Sequence, residues 1–241
     1  RNIFKAYLTS QALMICPEMI NDPFIRNRIK KMITKRIRQA KIGVLTVEGN
    51  FAIMCGDLYA LSQSMFGLEV TGLLGAGELY HKFWIDKNIP EVVCFRAPMT
   101  SHNNVVKQKI SYSEDALYWF RYIDNAVIIN AWDTLCMSCN GADLDGDLLF
   151  TTNNKVLVEN HRKLPPIDCI QKQSVKIIPT EQDIITSNKG GFGDKIGSTT
   201  NLTTSQISLQ ASFDPESEEY KELEYRIICG QQYQQNAIDK I

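Results

Sequence analysis

Residues Cys139-Asn140-Gly141-Ala142-Asp143-Leu144-Asp145-Gly146-Asp147 set three carboxylates at alternate positions around one glycine, and no other stretch constrains the chain as much. In an extended or tightly looped segment, residues i, i+2 and i+4 turn toward one point, and Gly146 lets the backbone bend where a side chain would clash. Like charges held that close repel one another, so the cluster implies a compensating cation. An all-oxygen donor set selects a hard ion, and Mg²⁺ is the default where few carboxylates leave room for water and phosphate. Apolar segments on either side, 126–129 and 148–150, pin the carboxylates near a core and argue against a free acidic surface loop.

A chain of 241 residues buries a substantial core in one or two domains. Its net charge of −1 argues against binding nucleic acid with the whole surface but permits local patches. No apolar run is long enough for a membrane span. Arg1 stands where a starting methionine would, and no signal peptide follows, so a piece of a longer protein is expected. Seven cysteines, at 16, 55, 94, 136, 139, 169 and 229, are scattered and odd in number, as in reduced intracellular proteins. Cys136 and Cys139 form a CxxC, but no second CxxC or Cys/His pair completes a zinc site, which favours core packing beside the acidic loop over zinc or redox chemistry.

The pattern divides into a helical segment over 1–39, a strand-rich domain over 40–158 and an extension over 159–241, loop then helix. Residues 1–20 are expected to be helical, ending near Pro17. Asp22-Pro23 is an N-cap and first helical residue, opening a helix to about 39. Its exposed face carries Arg26, Arg28, Lys30, Lys31, Lys35, Arg36 and Arg38 with no acid between them, which suits either a solvated face or a nucleic-acid backbone. Strands are predicted at 40–47 and 51–55, joined by a hairpin turn at Glu48-Gly49-Asn50, then at 78–85, 90–96, 126–129 and 148–151. Short helices are predicted at 57–66 and 113–122. Gly67, Gly72, Gly75 and Gly77 lie in a connection without a Walker lysine or dinucleotide fingerprint, so they read as turn formers. Short strands with brief helices between them predict a small β-barrel or compact mixed sheet. Residues 159–180 read as a loop with short strands, 181–213 as a Ser/Thr/Asn/Gly-rich stretch, and 214–240 as a long helix with acids at its start.

Three chemistries use such an acidic string. A calcium-binding EF-hand needs glycine at its sixth position and glutamate at its twelfth; counted from Asp143 these are Leu148 and Asn154, which excludes it. A phosphatase of the haloacid dehalogenase type places its first aspartate, a nucleophile, at the end of a buried strand. Here the preceding Ser138-Cys139-Asn140-Gly141 is polar and turn-like.

The third is a resemblance. Asn140-Gly141-Ala142-Asp143-Leu144-Asp145-Gly146-Asp147 resembles the metal-binding signature of the two-barrel RNA polymerases, Asn-Ala-Asp-Phe-Asp-Gly-Asp in beta-prime subunits and Asp-Leu-Asp-Gly-Asp in cellular RNA-dependent enzymes. Upstream, Phe95-Arg96-Ala97-Pro98-Met99-Thr100-Ser101-His102 resembles the Asn-Arg-Ala-Pro-Thr-Leu-His segment of beta-prime, in the same order and at similar spacing. Downstream, Ile196-Gly197-Ser198-Thr199-Thr200-Asn201 and Gln235-Asn236-Ala237-Ile238-Asp239-Lys240 resemble two weaker stretches of the RNA-dependent and phage single-chain relatives. Inserted Gly141 and Leu144 in place of phenylalanine point to a divergent single-chain enzyme.

The resemblance implies an α+β fold, a double-psi β-barrel with flanking helices and a helical C-terminal extension. It implies that Asp143, Asp145 and Asp147 hold a catalytic Mg²⁺ for nucleotidyl transfer, and that Arg96 and Asn140 contact the incoming nucleoside triphosphate. The alternative roles are a salt bridge from Arg96 to the acidic loop and bracing of that loop by Asn140. The implied partners are a nucleic-acid template, the RNA product, nucleoside triphosphates and a second, lysine-bearing barrel upstream in the same chain. The implied location is the cytoplasm, that of the host for a phage protein. The competing class is a non-catalytic nucleic-acid-binding barrel.

Overall fold

The computed structural model describes residues 7–44, 46–167, 176–191 and 195–238. Cys169, Asp239, Lys240 and the first six residues of the expected N-terminal helix lie outside the described residues. Packing divides the chain into two units, Arg1–Val47 and Glu48–Ile241.

The first unit contains α1 (Leu8–Ile15), a 3-10 turn (Pro17–Asn21) and α2 (Pro23–Lys41). The Asp22 carboxylate accepts the Ile25 N–H at 3.0 Å and Pro23 takes the first helical position, so α2 starts at the signal its sequence carries. The seven cations from Arg26 to Arg38 are all exposed along it.

In the second unit six strands among the described residues close a barrel: β1 (Asn50–Gly56), β2 (Glu78–Tyr80), β3 (Glu91–Phe95), β4 (Val105–Ile110), β5 (Ala126–Ile129) and β6 (Leu148–Thr152), in the order β1-β5-β2-β4-β3-β6. The pairs β1/β5 and β2/β4 are parallel and the other four antiparallel. This closed mixed sheet, with its helices, is the α+β double-psi barrel that was expected. Ala52, Met54, Leu79, Trp84, Val127 and Leu149 help fill its interior, while Ile128 packs outward with Leu74, Tyr80 and Phe120. Burial on both faces explains why residues 126–129 read as one continuous apolar run.

Three strand expectations need correction. Among the described residues of 40–47 no strand forms: α2 continues to Lys41, Gly43 turns at φ 77°, and both edges of β1 are already taken by β5 and β6. The strand expected over 78–85 stops at Tyr80, and Lys82–Ile85 form a helical turn, α4, that folds Trp84 into the barrel. There its Nε1–H donates to Thr151 Oγ1 at 2.8 Å. Nor are strands present in the described part of 159–180.

The short helices sit where expected. Asp57 caps α3 (Leu58–Met65) with one carboxylate oxygen and accepts the Leu73 and Leu74 N–H groups with the other, so the glycine-rich connection is a fastened turn. Ser113 caps α5 (Glu114–Trp119). A turn of helix, α6 (Leu135–Ser138), precedes the acidic loop, and α7 (Lys155–Glu159) follows β6. The extension forms α8 (Glu181–Gly191), α9 (Lys195–Gln210) and α10 (Glu218–Ile238). A Cβ on Gly230 of α10 would lie 2.2 Å from the Thr203 methyl of α9, so these two helices approach to backbone contact there. Since β3 and β5 run parallel to β1, and β6 against it, the loops after β3 and β5 and the loop before β6 gather at one rim.

Candidate active site

At that rim Asp143, Asp145 and Asp147 each offer a carboxylate oxygen, all within 4.8 Å of one another. Two ligands of one Mg²⁺ lie at most about 4.2 Å apart, so a small closure of the loop accommodates the ion. The donor set is all oxygen, and among the described residues no other His, Cys, Asp or Glu group is so arranged. The carboxyl of Asp145 is held above the usual carboxylate range, first by the charge of Asp143 and by a hydrogen bond with it. That uncompensated repulsion is what a bound divalent cation would relieve. Leu144 at φ 64° and Gly146 at φ 128° produce the alternating turn, and the Leu144 side chain lies over Gly56 at the end of β1. A leucine in this region is strained by roughly 1 kcal/mol, and the strain occurs between two of the proposed ligands.

Arg96 leaves the end of β3 and reaches across the rim. Its Nη2 pairs with Asp147 Oδ1 at 2.5 Å and its Nη1 donates to the Cys139 carbonyl at 3.1 Å. The other Asp147 oxygen accepts the Asp143 N–H at 3.1 Å, and the Asp147 carbonyl accepts the Met54 N–H from β1 at 2.8 Å. Asp147 is therefore the tethered carboxylate, while Asp143 and Asp145 are exposed. Asn140 is 3% exposed, and its amide faces Asn104, Pro98, Gln231 and Gln234 instead of solvent. His102 is exposed in a 3-10 turn.

The phosphatase arrangement is absent, since Asp143 precedes a strand that is antiparallel to both its neighbours. The CxxC is a packing feature: burial pushes the Cys139 thiol up to about 12 and raises that of Cys136, leaving both poor metal ligands and poor nucleophiles.

Three supporting residues carry no sequence motif. Asp133 accepts the N–H groups of Gly77 and Leu135 and the side-chain amides of Gln108 and Asn130, at 2.9–3.0 Å, fastening the turn into α6. Asn104 donates to Asn140 Oδ1 and the Ser138 carbonyl and accepts the N–H groups of Thr100 and Ser101. Gln231 lies on α10. The only available signals were the Asn130-x-x-Asp133 turn spacing and the glutamines at helical spacing after Gly230.

No family model matches the chain. Over 180 residues, 74% of its length, it is 26% identical to the DNA-directed RNA polymerase YonO of Bacillus phage SPbeta, and it spans 21% of that protein. Among solved structures, the RNA dependent RNA polymerase QDE-1 from Thielavia terrestris matches 90% of the chain at a TM-score of 0.54 and 12% identity, over 24% of its own length. The chain thus spans less than a quarter of either relative. Its sequence and its closed six-stranded fold both resemble the barrel of an RNA polymerase.

Proposed function

We propose that this chain is the metal-holding barrel of an RNA polymerase that performs Mg²⁺-dependent, template-directed nucleotidyl transfer on DNA, in a single-chain, phage-like architecture. The observation that carries the reading is the Arg96–Asp147 ion pair. It joins two segments, 51 residues apart, each of which resembles a polymerase motif on its own.

Magnesium bound here would lower the pKa of the RNA 3′-hydroxyl and neutralise charge on the α-phosphate under attack. The chain's own share is placement. Asp143 and Asp145 present exposed carboxylate oxygens, and Asp147 is aimed by Arg96 and the Asp143 N–H. Arg96 spends one N–H on Asp147 and one on Cys139. Its remaining donors are available to the sugar hydroxyls of the incoming nucleoside triphosphate, which would favour ribose over deoxyribose.

The lysines that contact the triphosphate would come from a second barrel. The described residues of the first unit are helical and contain no strand, so they do not supply one. The exposed basic face of α2 suits contact with the template backbone. The full-length protein, given nucleoside triphosphates and Mg²⁺, is expected to make RNA on a DNA template, whereas residues 1–241 alone bind Mg²⁺ weakly and make none. Preference for an RNA template would overturn the DNA assignment, and robust synthesis by the isolated chain would overturn the need for a second barrel.

A further inference from the structure

We propose that Asn140 is a positioning residue for the aspartate loop, and that α10 sets the loop's geometry through Gln231 and Gln234. The proposal rests on the reading of Asp143, Asp145 and Asp147 as metal-holding carboxylates.

The amide of Asn140 has no capacity left for substrate. A primary amide offers two N–H donors and one oxygen with two lone pairs. The Asn140 oxygen accepts from Asn104 Nδ2 at 2.9 Å and from Gln231 Nε2 at 3.1 Å. Its nitrogen donates to the Pro98 carbonyl and, at 3.5 Å, to Gln234 Oε1. All four positions are used, and all by protein. The partners come from two sources: the Arg-Ala-Pro segment and the 3-10 turn that follows it, through Pro98 and Asn104, and the C-terminal helix, through its glutamines.

This junction sits where the loop's direction is decided. Asn140 at φ 55° and Gly141 at φ 62° are successive left-handed residues that turn the chain out of α6 toward the aspartates. Asparagine tolerates that conformation, and its side chain fixes which way the turn points. Beyond it, Asp143 and Asp145 are exposed.

The composition of α10 agrees. Gln231, Gln234 and Gln235 are 1%, 0% and 7% exposed, spaced i, i+3 and i+4 on one helix face. Buried amides are costly unless matched, and a face needed only for packing would be served by leucine. Gln234 also donates to Thr200 Oγ1 of α9 at 2.6 Å. A Cβ on Gly141 would come within 3.3 Å of Gln235 Nε2, so the helix face and the loop are already in close contact. A directional polar network of this kind fixes orientation as well as proximity.

The test uses the full-length protein with Gln231→Met, which keeps length and helix propensity but donates nothing to Asn140, and Gln234→Met as a second variant. Mn²⁺ binding is read by electron paramagnetic resonance, and kcat and KM for nucleoside triphosphate are measured on a fixed template. Both variants should bind Mn²⁺ about tenfold more weakly and lose about tenfold in kcat, with KM within about twofold, because partners behind metal ligands act on ligand placement. Unchanged Mn²⁺ affinity in both variants overturns the proposal, as does a raised KM with unchanged kcat, the mark of a substrate contact. Asp145→Asn separates the two readings. If it leaves Mn²⁺ binding and synthesis intact, the metal-site reading itself fails. If it abolishes both while the glutamine variants behave as wild type, only the positioning proposal fails.

Discussion

Asp145→Ala in the full-length protein is expected to lose nucleotide incorporation by about 10³-fold or more while template binding persists and the melting temperature stays the same or rises. Removing a ligand of the metal ion that would stabilise the developing charge costs catalysis by factors of this order. The unchanged or raised melting temperature follows from the same geometry. Asp145 is an exposed carboxylate whose pKa is raised first by Asp143, so its charge works against the folded loop. Deleting it removes a repulsion and breaks no tether. Asp147→Ala is a less informative variant, because it would also release Arg96 and the Asp143 N–H. An exposed carboxylate whose charge opposes its own loop, at the centre of the rim, fits a ligand better than a scaffold. Incorporation assays paired with template-binding and thermal-melting measurements read all three effects, and surviving synthesis would remove these aspartates from the mechanism.

The second large effect is on stability. Asp133→Ala should destabilise the barrel by about 2–4 kcal/mol, since it strands four donors at once and each unsatisfied buried group costs about 1–3 kcal/mol when it cannot reach water. Asp133→Asn, which keeps one acceptor oxygen, should cost less. The pH dependence has a definite sign. Burial pushes the Asp133 carboxyl up, but hydrogen bonds from Asn130, Gln108, Leu135 and Gly77 outweigh it and hold the group below its ordinary value. A depressed folded pKa contributes stability that is complete above the unfolded value, about 4, and is lost as pH falls through the folded one. Denaturation midpoints of wild type and Asp133→Ala, compared from neutral pH down through that range, should therefore converge at the acid end.

Local chemistry made much of the fold legible. Asp22-Pro23, Asp57 and Ser113 start helices because each side chain satisfies N–H groups that the first turn leaves unpaired, and β5 was readable because both of its faces are buried. What stayed hidden was decided by tertiary pairing. In Val105–Ile110, Lys107, Gln108 and Lys109 mask a strand whose buried polar member, Gln108, is matched only by the distant Asp133. α9 has the composition of a loop. It is helical because α10 packs against it; the hydroxyls of Thr200, Thr203, Thr204, Ser205 and Ser208 are satisfied on carbonyls one turn earlier, which lets a helix carry so many polar side chains without itself favouring one.

The candidate site divides in the same way. The aspartates were readable because their spacing is local, and Arg96 because its own segment resembles a second motif; the structure brings them to one rim. The amide junction at Asn140 draws on residues 91 and 94 positions away, which no local pattern encodes.

The most direct measurement of the central claim is iron-directed cleavage of the full-length protein, in which Fe²⁺ replaces Mg²⁺ and, with added hydrogen peroxide, generates hydroxyl radicals that cut the backbone beside the bound ion. The account predicts cuts within 139–147 and beside Arg96, suppressed by excess Mg²⁺ and absent in Asp145→Ala. Cleavage confined to other segments, or the same cuts in Asp145→Ala, would contradict it.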